Sequence, residues 1–187
     1  MGLPTTQVSG QTTPIPGLLI FDVSRIGDDR GYFQEKFQQS KLRAAGLPED
    51  FVIVQNNISY NQQVGVTRGI HAEPWEKYVS VINGRAFAAW VDLRKGISFG
   101  SVFYTELTTE TTVFVPRGVA NSYQALEADV IYSYLVSDHW SADGKYQSVN
   151  MFDPVLHIPW PIPRDQAVVS DRDLNHPLLS DVTPMEF

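Results

Sequence analysis

The chain has 187 residues, a net charge of -7 and no cysteine. These values exclude a disulfide framework, a thiolate metal site and a cysteine nucleophile, and they argue against a general nucleic-acid binder. No apolar run approaches the roughly 20 residues of a membrane span. The polar segment 1–16 lacks the basic and apolar regions of a signal peptide. We therefore expect a cytoplasmic protein that binds neither nucleic acid nor membrane.

The periodicity along the chain is mostly that of β-strands. The predicted strands, in chain order, are Leu18–Val23, Tyr32–Phe37, Phe51–Tyr60, Gly65–His71, Lys77–Ile82, Arg85–Arg94, Phe99–Leu107, Thr112–Val115, Ser122–Leu126 and Val130–Val136. Turn residues separate them at the roughly 8–12 residue spacing of an all-β sandwich or barrel. Asn83-Gly84 falls between two of these strands and predicts a tight β-hairpin.

Helical patterns are scarce in this sequence. Ser40 is placed to cap a short helix over 41–45, and a second helical turn is predicted from Ser170. There is no internal repeat and no linker that would divide the chain. We therefore expect one domain over the whole chain, with an N-terminal extension at 1–16 and a C-terminal cap at 160–187.

His71 stands at the end of a predicted strand, three residues after Arg68. A regular strand would point these two side chains to opposite faces, whereas a bulge at Gly69 would bring both to one cavity. His71 is then either an ordinary half-buried histidine or a functional one. The segment His71-Ala72-Glu73 offers one histidine where barrel metal sites use two or three, so we expect no metal.

Other polar residues alternate with apolar ones inside predicted strands. Gln55 and Asn57 must form hydrogen bonds in the core or with a ligand. Lys77 is placed to face a cavity. Tyr132 and Tyr134 alternate along one strand, where a tyrosine that faces the core only packs and one that faces a polar cavity can donate a proton.

Several elements occur in a specific order from about residue 17 to residue 179. They are Asp29–Glu35, Val54–Asn57, Arg68–His71, Lys77, Trp90–Gly96, Phe99-Gly100, Val115–Asn121 and Asp153–Pro161. In this order they resemble the dTDP-4-dehydrorhamnose 3,5-epimerase family. The resemblance implies an all-β, cupin-like β-barrel of the jelly-roll type with a few short helices. It also implies no metal or other cofactor, and a homodimer in which an N-terminal strand joins the partner's sheet.

The resemblance also implies a substrate and residue roles. The substrate is a dTDP-4-keto-6-deoxyhexose, and an isomerase of this family inverts its C3 and C5 on the route to L-rhamnose. His71 corresponds to the catalytic base, Asp173 to the residue that orients it, and Lys77 to the lysine near the keto oxygen. Tyr134 corresponds to the general acid, with Tyr132 as the alternative register. The implied nucleotide or pyrophosphate contacts are Arg30, Phe33, Glu35, Gln55, Asn57 and Arg68.

One position departs from the family pattern. Asn121 replaces a second active-site histidine, so its amide can hydrogen-bond a sugar or phosphate but cannot carry a charge. Two alternatives to a 3,5-epimerase remain. The first is an epimerase of one carbon only, which would share the base and the acid. The second is a non-catalytic sugar-nucleotide-binding cupin, which the joint presence of His71, Asp173 and Tyr134 disfavours.

Overall fold

The computed structural model describes residues 5–187. Its strands are β1 Val8–Thr12, β2 Leu19–Val23, β3 Ile26–Asp28, β4 Gly31–Phe33, β5 Gln55–Asn61, β6 Thr67–Ala72, β7 Lys77–Asn83, β8 Ala86–Asp92, β9 Val102–Leu107, β10 Thr111–Val115, β11 Val119–Ala125, β12 Val130–Val136 and β13 Gln147–Ser148. The helices are α1 Gln39–Ala44 and α2 Asp171–Leu174, with 3-10 turns at Pro154–Leu156 and Leu179–Asp181. In the part of the chain described here, no helix has the length and hydropathy of a membrane span.

Two antiparallel sheets face each other across the main core. One has the order β1-β2-β10-β7-β12-β5 and the other β13-β6-β11-β8-β9, while β3 and β4 form a separate hairpin. Val79 and Tyr132 from the first sheet pack in one buried cluster with Trp90 and Tyr123 from the second. Two such sheets closed over a common core form the predicted cupin-like β-barrel, and the all-β prediction is confirmed.

The predicted hairpin at Asn83-Gly84 is wrong. This turn connects β7 to β8, but β7 pairs with β10 and β12 in one sheet, whereas β8 pairs with β9 and β11 in the other. Gly84 has a φ of +78°, and a Cβ there would lie 2.8 Å from the Val130 side chain. The glycine therefore allows β12 to approach the turn closely. The Asn83-Gly84 pair correctly indicated a turn. The pairing of β7 and β8 with other strands instead follows from the burial of both strands.

Several predicted strands are longer than the observed ones, and in two of them the residues beside the strand leave the ladder to pack. β4 ends at Phe33, after which the Gln34 side chain donates a hydrogen bond to the Val23 carbonyl at 2.6 Å. β5 begins only at Gln55, and Phe51 before it is buried in a separate aromatic and aliphatic cluster. The cap of α1 is Gln38 rather than Ser40, since the Gln38 side chain accepts the Lys41 N–H at 2.7 Å.

The segment 1–16 contains β1, which is absent from the predicted strands because its sequence is mostly polar. β1 is the edge strand of the larger sheet and pairs with β2 of the same chain, from Val8 opposite Val23 to Thr12 opposite Leu19. Within one chain, the strand therefore forms the edge of the larger sheet.

Candidate active site

A cavity of about 310 Å³ opens on the barrel. Strands β5, β6, β7, β11 and β12 contribute to its wall, and the segment around α2 closes one side. The lining residues are Ser59, Arg68, Gly69, His71, Glu73, Lys77, Asn121, Tyr123, Tyr132, Tyr134, Ser170, Arg172 and Asp173. All four predicted catalytic residues are among them, together with Arg68 and Asn121.

A β-bulge brings Arg68 and His71 to the same cavity. On β11, Asn121 lies opposite His71 and Tyr123 lies opposite Arg68, so three steps along β6 span two along its partner. The bulge predicted at Gly69 is therefore confirmed. Gly69 has a φ of +118°, and a Cβ there would lie 2.8 Å from the Ser122 Cα, so only glycine fits between these strands.

The C-terminal segment returns to β6 and delivers Asp173 to His71. Val168 exchanges backbone hydrogen bonds with Gly65 and Thr67 at 2.8 and 2.9 Å, which fixes the approach. Ser170 then caps α2, as predicted, by accepting the Asp173 N–H at 3.1 Å. The short helix therefore starts where its first turn can face the bulge.

His71 Nε2 lies 2.9 Å from Asp173 Oδ1, and the Gly69 N–H donates to Asp173 Oδ2 at 3.2 Å. Burial acts to raise the pKa of Asp173, but the His71 hydrogen bond, the His71 charge and the Gly69 N–H outweigh it and hold this pKa below its ordinary value. The carboxylate is thus ionised at neutral pH. It fixes Nε2 of His71 as a donor and leaves Nδ1 as the nitrogen with a lone pair.

Sequence reasoning missed His176, which adjoins this pair. His176 Nε2 lies 3.1 Å from both His71 Nε2 and Asp173 Oδ1, and its Nδ1 lies 3.1 Å from Ser148 Oγ. Burial first, and then the His71 charge, lower the pKa of His176. The available signal was its position three residues after Asp173, just beyond a helical turn that brings both side chains to one side.

Lys77 is buried at the start of β7, with 5% of its surface exposed. Its ammonium forms an ion pair with Glu73, which belongs to the turn between β6 and β7 and was not predicted as a site residue. The carboxylate compensates the buried positive charge, and the pair holds the Lys77 ammonium at the cavity wall. A carboxylate four residues before a lysine was the signal in the sequence.

Tyr132 and Tyr134 both reach the cavity from β12 but differ in surroundings. Tyr132 is fully buried, stacks on Tyr123 with ring centroids 4.0 Å apart, and donates its hydroxyl to Asn121 Oδ1 at 3.1 Å. Tyr134 is only half-buried. Burial first, and then the Glu73 carboxylate, raise the pKa of Tyr134, so its hydroxyl stays protonated at neutral pH.

Arg68 is exposed at the rim of the cavity, where its orientation is held by an amide. Its Nε donates to Asn61 Oδ1 at 3.0 Å, and the Tyr123 hydroxyl donates to the same oxygen at 3.1 Å. Asn61 is buried, and its own Nδ2 donates to the Val130 carbonyl at 3.0 Å. The Arg68 guanidinium is thus exposed to solvent in a fixed orientation.

The remaining predicted binding residues do not line this cavity. Gln55 and Asn57 lie on the same face of β5 as Ser59, bonded to each other at 2.6 Å. Arg30, Phe33 and Glu35 lie in or just after the β3–β4 hairpin, which follows β2 near the opposite edge of the larger sheet. There the Arg30 guanidinium pairs with Asp28 and Phe33 is 63% exposed.

Comparison with known proteins places this barrel and cavity in one family. The family model for dTDP-4-dehydrorhamnose 3,5-epimerase matches residues 12–181, and the chain belongs to this family. It is 51% identical to the Protein RmlC homolog of Streptococcus pyogenes serotype M6, over 92% of this chain and 89% of that protein. It is 32% identical to the dTDP-4-dehydrorhamnose 3,5-epimerase of Sinorhizobium fredii, over 95% and 92% of the two chains.

A solved structure supports the same assignment. The structure of RmlC from Streptococcus suis in complex with dTDP-D-xylose is 45% identical in sequence and superposes with a TM-score of 0.91. The match covers 96% of this chain and 95% of that one. The agreement therefore extends over the whole barrel, including the segments that build the cavity.

Proposed function

We propose that this chain is an epimerase that inverts C3 and C5 of dTDP-4-keto-6-deoxy-D-glucose and forms dTDP-4-keto-L-rhamnose for L-rhamnose biosynthesis. The observation that carries this proposal is the meeting of His71, Asp173, Tyr134 and Lys77 in one cavity. A base, its orienting carboxylate, a proton donor and a cation are the groups that proton exchange beside a ketone requires.

His71 is the base in this proposal. Neutral imidazoles are effective bases near pH 7. Because Asp173 binds Nε2 at 2.9 Å, the lone pair on Nδ1 accepts the proton from the carbon next to the C4 ketone. The ionised carboxylate of Asp173 then stabilises the imidazolium that forms.

Lys77 stabilises the enolate. Negative charge develops on the C4 oxygen as the proton leaves, and a donor aimed at such an oxygen is worth roughly 3–4 kcal/mol. Lys77 is buried and paired with Glu73, so its ammonium is positioned before the substrate binds. This pre-orientation avoids reorganisation during the reaction.

Tyr134 returns a proton to the opposite face of the enolate. Inversion requires a donor across the cavity from the base, and Tyr134 enters from β12 in one sheet while His71 enters from β6 in the other. Its raised pKa keeps the hydroxyl protonated at neutral pH. Repeating the cycle at the second carbon inverts both centres.

The diphosphate of the substrate meets Arg68, whose forked guanidinium suits phosphate oxygens. Asn121 beside His71 offers an amide to the sugar. Gln55 and Asn57 extend the polar face of β5 away from the cavity toward the nucleotide. These contacts allow a chain of net charge -7 to hold an anionic substrate.

We also propose that the protein is cytoplasmic and forms a homodimer in which the two chains exchange their N-terminal strands. A strand that leaves its own β2 for the partner's can form the same antiparallel pairing there, so exchange costs few contacts. Arg30, Phe33 and Glu35 lie outside the cavity lining of their own chain. In a dimer they would contribute to the substrate site of the partner chain. Light scattering after gel filtration tests this: a monomer at micromolar concentration would refute the dimer.

The decisive experiment for the reaction is incubation with dTDP-4-keto-6-deoxy-D-glucose in deuterated water. Deuterium at both C3 and C5, with dTDP-4-keto-L-rhamnose as product, is expected. Inversion at one carbon would instead identify a single-carbon epimerase. No exchange at either carbon, with tight binding of the nucleotide sugar, would leave a non-catalytic binding protein.

A further inference from the structure

Three side-chain atoms of His71, Asp173 and His176 form a small triangle beside the cavity. His71 Nε2, Asp173 Oδ1 and His176 Nε2 are separated by 2.9, 3.1 and 3.1 Å. Hydrogen bonds alone do not satisfy all three sides. If both imidazoles donate to the carboxylate, the two nitrogens face each other at 3.1 Å with no lone pair between them.

A metal ion would satisfy all three sides at once. First-row divalent ions hold imidazole nitrogen and carboxylate oxygen at about 2.0–2.2 Å. Two such ligands at right angles around the ion are about 3 Å apart, since the separation is about 1.4 times the bond length. The measured triangle therefore matches one face of an octahedron. Two imidazoles and one carboxylate on such a face are a common ligand set for these ions.

Surrounding groups already orient these ligands as a metal site requires. Ser148 Oγ, on β13, lies 3.1 Å from His176 Nδ1, and the Gly69 N–H holds the second oxygen of Asp173. Partners of this kind fix the rotation of metal-bound imidazoles and carboxylates. The His71 side chain is 38% exposed toward the cavity, which provides a path for the ion. The His176 and Asp173 side chains are each only 8% exposed, so the site is otherwise enclosed.

We propose that His71, Asp173 and His176 bind one divalent first-row metal ion that accepts octahedral coordination, such as Co²⁺, and that the bound ion inhibits the epimerase. Coordination through Nε2 requires that the proton of a neutral His71 move to Nδ1. That nitrogen can then no longer accept a proton from the sugar. Ser148 accommodates the same change at His176 by rotating its hydroxyl from donor to acceptor. The inhibitory part rests on the proposed function, whereas metal binding does not.

Binding is measured first, without substrate. The metal-free protein is titrated with Co²⁺, monitored by visible absorption and by calorimetry. We expect one ion per chain, and a dissociation constant at least tenfold weaker for His176→Asn. The matched control is His157→Asn, at a position outside the cluster whose left-handed backbone, with φ of 48°, suits asparagine. Equal affinity for wild type and His176→Asn would overturn the site.

Inhibition is measured second, relative to the metal-free rate of each variant. Co²⁺ should inhibit the wild type reversibly, with activity restored by a chelator, and His176→Asn should need at least ten times more Co²⁺ for half inhibition. Stoichiometric binding without inhibition would refute the regulatory half alone. Absence of epimerase activity would refute the proposed function while the calorimetry still decides the metal site. If His176→Asn fails to fold by circular dichroism, Ser148→Ala provides the comparison, with an expected tenfold weakening from the lost orienting contact.

Discussion

Tyr132 and Tyr134 reach one cavity from the same strand, but the hydroxyl of Tyr132 is already bonded to Asn121. Tyr132 is also fully buried, whereas Tyr134 is half-buried. A proton donor must meet the substrate, and a hydroxyl that already donates to an amide oxygen is poorly placed for that step. We therefore expect the two residues to differ in function, although they are only two positions apart in the sequence.

Tyr134→Phe should separate proton exchange from inversion. The base remains, so the enolate forms and His71 can return a deuteron to the face from which the proton came. Deuterium should enter the substrate while the epimerised product falls by roughly 10²–10⁴-fold, the usual contribution of a general acid. Mass and proton spectra of the recovered sugar nucleotide measure both quantities. Equal loss of exchange and inversion would instead give Tyr134 a role in binding.

The matched control for this variant is Tyr132→Phe. It removes the hydrogen bond to Asn121 and keeps the ring that stacks on Tyr123. We expect exchange and inversion to change together, since no proton donor is lost. If Tyr132→Phe alone separated the two, the assignment of the acid would move to Tyr132.

His71→Asn should remove nearly all turnover and leave the fold intact. The amide can still donate to Asp173, but it cannot accept a proton from carbon, so we expect a loss of about 10²–10⁴-fold in kcat. Circular dichroism and thermal unfolding check the fold. His157→Asn, the same substitution outside the cavity, is the control. A variant that kept more than a tenth of the wild-type rate would contradict the assignment.

Removal of metal should not lower the activity. The proposed mechanism uses an imidazole, a phenol and an ammonium, and none of its steps needs a metal. After exhaustive chelation the rate should stay the same, or rise if the preparation carried an inhibitory ion. Metal analysis before and after treatment is the necessary control. A rate lost on chelation and restored by a stoichiometric ion would establish a metalloenzyme.

Gly69→Ala should destabilise the protein and disturb the site together. The new methyl group would lie 2.5 Å from the Ser122 Cβ and 2.7 Å from the Asn121 carbonyl oxygen, at a φ of +118°. Overpacking of this kind costs typically about 1–3 kcal/mol, and the shift would move the N–H that holds Asp173. Urea unfolding measures the first effect and kcat the second.

The control for this glycine is Gly27→Ala. The backbone there does not have a positive φ, and the nearest atom to the added methyl group is 3.6 Å away, an ordinary contact. Its unfolding free energy should stay within about 0.5 kcal/mol of the wild type. Comparable destabilisation of both variants would show that the bulge at Gly69 is not the sensitive point.

Lys36 should make the protein more stable as the pH rises from 8 to about 10. Burial first, and then repulsion from Arg25, lower the pKa of Lys36 from 10.5 to about 8. Below pH 8 both folded and unfolded chains hold this proton, so the cost of burying the charge is fully present. Above pH 8 the unfolded chain holds the Lys36 proton more tightly than the folded chain does. The free energy of unfolding therefore rises with pH, by at most roughly 3 kcal/mol over the whole interval.

Two tyrosines limit this window from above. Burial raises the pKa of Tyr78 and of Tyr132, so stability falls once tyrosines of the unfolded chain ionise above about pH 10. Urea unfolding at intervals between pH 7 and 10 should therefore show a rise that Lys36→Met flattens. Lys95→Met, which removes an exposed charge, is the matched control. An unchanged slope in Lys36→Met would assign the rise to other groups.

Local patterns predicted the strands well but not their partners. Alternation of polar and apolar residues predicted the full extent of β12, Val130–Val136. The three-residue spacing of Arg68 and His71 indicated the bulge at Gly69. Both follow from side-chain periodicity within one strand. The hairpin at Asn83-Gly84 failed because pairing is decided by burial across the barrel, and no local signal reports that burial.

The site shows the same division. His71, Asp173, Lys77 and Tyr134 were identified through the family resemblance, and the fold brings them into one cavity. His176 was missed because its other partners are distant in sequence: Ser148 is 28 positions away and His71 is 105 positions away. The three hairpin residues, including Arg30, were assigned to the substrate, yet the folded single chain leaves them outside the cavity lining. Only the folded chain can decide such long-range relations.

The crossing at Asn83-Gly84 also governs how the chain can fold during synthesis. β7 and β8 are made in succession, yet each must wait for a strand made later: β12 lies between β7 and β5, and β11 lies between β8 and β6. A ribosome-bound chain that ends before Val119 therefore has open strand edges on both halves of the barrel. Such non-local pairing is slow and exposes edges to aggregation. The barrel is thus committed to folding late, after most of its sequence has been translated.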